Sequence, residues 1–238
     1  MRIPNLVRRT ATAGFTLIEL LAVILILGIL MTFLIPRVTE AVDAANVTAC
    51  RKNMQEIYGA LLQYQIHNKT KDSIPTQSGV KFFGALIADG VWENTEANGK
   101  RLTCPGVSIS QLQLGEIDDA QEWFMHLDAI DGNYSAYAGR DQNASGAGKG
   151  AKSKGGELCG RIGKLPASGK QILVADDNAS KPGEGNHRGS TVVLYADGTA
   201  SSFELMELHK NGTLTEDEKV LTVGPDSPVE PLRCLSLD

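Results

Sequence analysis

The sequence predicts an α+β protein in which a long N-terminal helix, half apolar and half amphipathic, packs on a small antiparallel β-sheet. Three observations carry that expectation. An almost unbroken apolar run fills residues 15–35. Beyond it, apolar side chains return at three- and four-residue spacing as far as Leu62. The rest of the chain holds short β-rich runs, two of them flanking an Asp197-Gly198 turn. A helix first and antiparallel strands afterwards is the element order of an α+β fold.

Composition narrows the class. The chain has 238 residues, 42% hydrophobic and only 5% aromatic, with a formal net charge of -5. This length suits one domain with an appendage, and the composition excludes a collagen-like or wholly disordered chain. Arg2, Arg8 and Arg9 are the only charged residues before Phe15, so the remainder is more acidic than the total suggests. An acidic body with few aromatics lacks both the phosphate-binding cations and the stacking surface of a nucleic-acid binder. No nucleic-acid partner is expected.

The first element is the apolar run. As a helix rising about 1.5 Å per residue it reaches roughly 31 Å, the hydrocarbon thickness of a bilayer. The basic flank Arg8-Arg9 keeps the N-terminus cytoplasmic by the positive-inside rule, which places the acidic remainder across the membrane. A secretory signal would instead have a shorter apolar region followed by small residues, whereas Ala11, Ala13 and Gly14 precede this one. Glu19 is the one charge inside the run, and a carboxylate at such a place is a functional candidate by default.

After Pro36 the amphipathic pattern continues through Val38, Val42, Ala45, Ala49, Ile57 and Leu61, with Glu40, Asp43, Arg51 and Glu56 on the other face. Pro36 therefore reads as a kink rather than a stop. Asn68 to Lys71 and then Pro75 close the helix near residue 67. Further on, 81–91 and 118–130 have helical patterns, and 134–138, 171–175, 191–196 and 200–205 read as strands. Asp197-Gly198 predicts a hairpin between the last two. The Gly/Lys/Ser-rich stretch 144–156 reads as a loop, and the tail from 223 has no clear periodicity.

The string Gly14-Phe15-Thr16-Leu17-Ile18-Glu19, behind a short basic leader and ahead of the apolar run, resembles the processing motif of type IV prepilins and type II secretion pseudopilins. Pro36 stands where many members of that family carry a helix-kinking proline. The resemblance implies cleavage between Gly14 and Phe15 by a prepilin peptidase and N-methylation of the new Phe15 amine. It implies a role for Glu19 in assembly, insertion in the inner membrane, and extraction by a platform with its ATPase into a filament of pilin-like subunits. The expected domains are a leader at 1–14, a membrane and filament-core helix at 15–35, its amphipathic continuation at 36–71, and a periplasmic head at 72–238. His187, nine residues before Asp197-Gly198, resembles the C-terminal pattern of a large bacterial group of pilin-like proteins. Leu102-Thr103-Cys104-Pro105 and Tyr134-Ser135-Ala136-Tyr137 resemble further pieces of that group.

Candidate chemistry in the head is sparse. The Gly/Lys loop fails as a phosphate cradle, because Asn143 stands where a P-loop needs glycine and Gly150 where it needs Ser or Thr. Asp176, Asp177 and Glu184 could offer oxygens to calcium, although Asp, Asn and Gly also simply make turns. A straight strand from His187 to Asp197 would span about 33 Å, which keeps the two out of one acid–base site. No nucleophile elbow is visible, so no enzyme is expected. Cys104, Cys159 and Cys234 would face an oxidising space and are disulfide candidates, with pairing left open. No Cys-x-x-Cys pair points to a metal. The expected function is a secretion pseudopilus subunit, with a surface pilin or a membrane-tethered binding head as alternatives.

Overall fold

The computed structural model describes residues 15–67, 73–109, 112, 117, 119, 122–143, 159–167, 169–176 and 185–237. The leader, Gly14, the Gly/Lys loop, Asp177 and Glu184 lie outside them. The chain divides into two compact units, Met1–Val42 and Asp43–Asp238, with the division inside the first helix.

Helix α1 runs from Leu17 to His67 and continues through Pro36. Every residue of its first part from Leu17 to Val38, Arg37 included, is exposed, as expected for a surface that needs lipid or sister helices. It is the one described helix long and apolar enough to cross a membrane. In the second unit the helix buries Cys50, Met54, Ile57, Leu61 and Tyr64, whose three- and four-residue spacing is a single stripe. Lys52 and Glu56 pair on the opposite side.

The sheet contains five antiparallel strands in the order β4-β3-β2-β1-β5. They are β1 (Ala138–Arg140), β2 (Ile172–Ala175), β3 (Ser190–Tyr195), β4 (Ala200–Glu204) and β5 (Leu235–Ser236). β3, next to the edge strand β4, is buried along almost its whole length, because both faces of the sheet are covered. Val192 and Leu194 join the core of α1 and α2 (Val80–Ala88). Val193, between them, points to the other side and packs with Leu205 and Leu208 of α4 (Leu205–Lys210) and with Leu232 and Leu235 of the tail. Period-2 alternation thus feeds two apolar layers at once.

The β3–β4 hairpin forms where expected. Gly198 adopts φ 91°, a left-handed conformation open to glycine at little cost, and the Asp197 carboxylate accepts the Thr199 N–H at 2.9 Å. Three expectations need correction. The strand at 134–138 is instead a 3-10 turn at Gly132–Tyr134 followed by β1, since the Ala136 and Tyr137 N–H groups donate to side chains rather than to a ladder. The described part of 118–130 is only a 3-10 turn at Trp123–Met125. Its apolar side chains fill the space beside Gly84 of α2, and Asp128, Asp131 and Gly132 are poor helix formers. The tail is not shapeless: it supplies a 3-10 turn at Glu230–Cys234 and edge strand β5. The short helix α3 (Glu96–Arg101) is also new, capped by Thr95, whose hydroxyl accepts the Asn98 N–H.

Candidate functional site

The N-terminal site begins at Thr16. Its amide and hydroxyl both donate to Glu19 Oε2 at 2.8 Å, and its hydroxyl accepts the Glu19 N–H at 3.3 Å. This reciprocal arrangement is a capping box, in which Thr and the residue three positions later satisfy each other's free groups. Glu19 is therefore held at the start of α1, four residues after Phe15. The Thr-x-x-Glu spacing was readable in the chain but is easily overlooked beside the apolar run.

A second site lies in the head. Cys50 comes from α1, Cys104 follows α3, Asp176 leaves the end of β2, and His187 precedes β3. All four are buried, and their ligating atoms lie within 4.8 Å of one another. His187 Nε2 is 2.9 Å from Asp176 Oδ2 and 3.3 Å from Cys104 Sγ. Cys50 Sγ lies 3.7 Å from Asp176 Oδ2 and 3.4 Å from the Tyr137 hydroxyl.

The segments that bring these groups together are themselves interlocked. The Ser135 hydroxyl donates to the Leu102 carbonyl at 2.6 Å, and Thr103 Oγ1 accepts the Ala136 N–H at 3.1 Å. The Asn186 side chain donates to the Ala136 carbonyl at 3.0 Å. The Leu102–Pro105 and Tyr134–Tyr137 stretches and the His187 segment thus meet at one place, although they are far apart in the chain.

The electrostatics follow from burial. Burial by itself would lower the His187 pKa, but the hydrogen bonds to Asp176 and Cys104 outweigh it and raise it to about 10. The hydrogen bond with Cys50 is the largest influence on Cys104, and with His187 it pulls that thiol down to about 5 against burial. Burial, with the nearby Cys104 and Asp176, pushes the Cys50 thiol well up. The cluster therefore favours a thiolate and a carboxylate around an imidazolium.

Two expectations about the head change here. Asp176 does not serve an oxygen-rich calcium loop. Its carboxylate is fully buried, accepts the Val192 N–H at 2.6 Å through Oδ1, and faces sulfur and nitrogen donors through Oδ2, and calcium requires several oxygens. Asp177 and Glu184 lie outside the described residues. Of the three cysteines considered for disulfides, Cys159 and Cys234 are joined, while Cys104 is free and sits in the cluster with Cys50. His187 does precede β3, but as a buried member of the cluster. Asp197 is in the hairpin turn and is not part of it. Cys50 was missed because no local spacing links it to the others, and Tyr137 was noticed only as part of the Tyr134–Tyr137 stretch.

Comparison with known proteins places part of the chain in context. Residues 9–35 match the family described as the prokaryotic N-terminal methylation motif. Over 74 residues the chain is 38% identical to the type II secretion system core protein G of Pseudomonas aeruginosa, covering 31% of this chain and 51% of that protein. The chain thus spans about half the length of that relative. It is 35% identical over 94 residues to the competence protein ComGC of Halalkalibacterium halodurans, covering 38% of this chain and 82% of that one. No solved structure matches the chain.

Proposed function

We propose, from the premise that this chain belongs to the pilin-like proteins with the prokaryotic N-terminal methylation motif, that it is a filament subunit of a secretion pseudopilus. The observation that carries this is the N-terminal match over residues 9–35, with Glu19 fixed at the first turn of an exposed apolar helix. Similarity to a type II secretion protein supports the secretory role. In this reading the peptidase cuts between Gly14 and Phe15 and the Phe15 amine is methylated. The apolar half of α1 then leaves the inner membrane for the filament core, drawn by the platform and its ATPase, while the periplasmic head forms the filament surface. The work is assembly and mechanical transmission, and no step of catalysis is assigned to the head.

A second reading rests on the ComGC match, which covers the larger share of its relative: a surface filament not tied to secretion. Both readings need the same maturation. Mass spectrometry of the membrane-extracted protein is expected to show an N-terminus at N-methylated Phe15. Retention of Met1 in the assembled protein would refute both. Deletion is then expected to leave exported proteins in the periplasm. Normal export together with loss of long surface fibres would instead establish the second reading.

A further inference from the structure

Cys50, Cys104, Asp176 and His187 converge on a single point in the head. We propose that they form a tetrahedral site for one borderline divalent cation, zinc above all, that fastens α1 to the sheet. The inference stands apart from the filament reading and concerns the head alone.

Donor chemistry selects the metal. Two sulfurs, one imidazole nitrogen and one carboxylate oxygen are ligand types that zinc combines in four-coordinate sites, whereas calcium and magnesium want oxygen throughout. The dimensions agree. Bonds of about 2.0–2.3 Å in a tetrahedron place neighbouring ligand atoms about 3.3–3.8 Å apart. The separations here are 2.9 Å from His187 Nε2 to Asp176 Oδ2, 3.3 Å from His187 Nε2 to Cys104 Sγ, and 3.7 Å from Cys50 Sγ to Asp176 Oδ2. The remaining pairs lie within 4.8 Å, so seating a cation draws the widest of them together by up to about an ångström.

The surroundings are those of a metal site. His187 Nδ1 is buried with no hydrogen-bond partner among the described residues, and Asp43 Oδ1 lies 3.7 Å away. A carboxylate behind the far nitrogen of a ligating histidine fixes its tautomer and raises its basicity. Asp176 Oδ1 is held by the Val192 N–H at 2.6 Å. The Gly106 N–H faces Cys104 Sγ at 3.4 Å, and the Tyr137 hydroxyl faces Cys50 Sγ at 3.4 Å. Alanine at 106 would bring its Cβ to 2.7 Å from the Asn186 carbonyl and 3.5 Å from the His187 ring, so glycine lets the loop close over the cluster. Four protein ligands and complete burial describe a closed, structural site.

The test uses the full chain, purified in detergent without chelator. Elemental analysis is expected to find one zinc per chain, and cobalt exchanged into the site should give the intense visible bands and sulfur charge-transfer absorption of a tetrahedral thiolate centre. Cys104→Ser and His187→Gln are expected to lower zinc affinity by at least the roughly 10–100-fold that loss of an outer partner costs. The wild-type measurements decide even where a variant fails to fold. A chain that holds no zinc after incubation with the metal and gel filtration would overturn the proposal. So would a Cys50–Cys104 disulfide in the peptide map of the freshly isolated protein, or weak octahedral absorption from cobalt.

Discussion

Gly139 shows how much one missing methyl decides. It sits in the centre of β1, paired with Val174 of β2 on one side and Ser236 of β5 on the other. The Gly79 backbone crosses directly over it, its N–H bonded to the Arg140 carbonyl at 3.2 Å, and a Cβ at 139 would collide with the Gly79 carbonyl. Neither partner is a flexible side chain that can yield. Gly139→Ala is expected to lower stability by about 1–3 kcal/mol, the usual cost of overpacking. Gly59 is the counterpart: it lies inside α1 with nothing within 4 Å of an added Cβ. Gly59→Ala should raise stability by about 0.5–1 kcal/mol through helix propensity alone. Denaturant midpoints of the two variants should move in opposite directions; a shift of the same sign would refute this account of the packing. Both glycines look alike in the chain, and only their neighbours separate them. Glu19 is the contrary case, since its position after Gly14-Phe15 and three residues after Thr16 carries its meaning without any distant contact.

The elements differ in how local their causes are. α1 was legible from end to end, because a stripe at helical spacing needs only the chain's own periodicity. β2, β3 and β4 were legible within a residue or so for the same reason, with the hairpin marked by Asp197-Gly198. β1 and β5 were not. β1 is three residues long and β5 two, too short for a pattern: β1 is defined by β2 and β5 on its two sides, and β5 by β1. The tail is tied down by the Cys159–Cys234 disulfide, which bridges 75 positions immediately before β5. Closing a loop of that size restricts the unfolded chain, and removing such a bridge typically costs about 2–5 kcal/mol. Cys159→Ser with Cys234→Ser is therefore expected to lower the unfolding midpoint by a corresponding amount, and reductant should do the same to the wild type. Equal midpoints for all three samples would show that β5 docks without covalent help. The bridge also leaves Cys50 and Cys104 as the free pair, which is why the head can present two thiols to one point.

At the scale of the whole molecule the two ends of the chain have separate tasks. The first unit offers an exposed apolar helix surface and a single carboxylate near its start. If the proposed processing frees the Phe15 amine, a cation near neutral pH, Glu19 gains a partner of opposite charge. Pairing between neighbouring subunits would neutralise both groups only in the correct register, which makes the pair a device for specificity rather than for bulk stability. Glu19→Val is expected to insert in the membrane and to be cleaved, yet to yield few filaments. Filament yield, measured with wild-type subunits absent, is the check; a normal yield would exclude a guiding role for the carboxylate.

The chain alone determined the membrane-length helix, its amphipathic continuation, the processing motif and the β3–β4 hairpin, because each depends on residues close together in sequence. It also marked Leu102–Pro105, Tyr134–Tyr137 and His187 as worth notice, without saying why. Tertiary structure decided the rest. Cys50, Cys104, Asp176 and His187 come from four separate segments, and no spacing rule connects donors whose distances are set by the docking of α1 on a sheet. The same holds for the choice of disulfide partners, which depends on where the tail comes to lie. Local chemistry is written in neighbouring residues, but a buried site exists only after long loops have closed and distant side chains share one volume from which water is excluded.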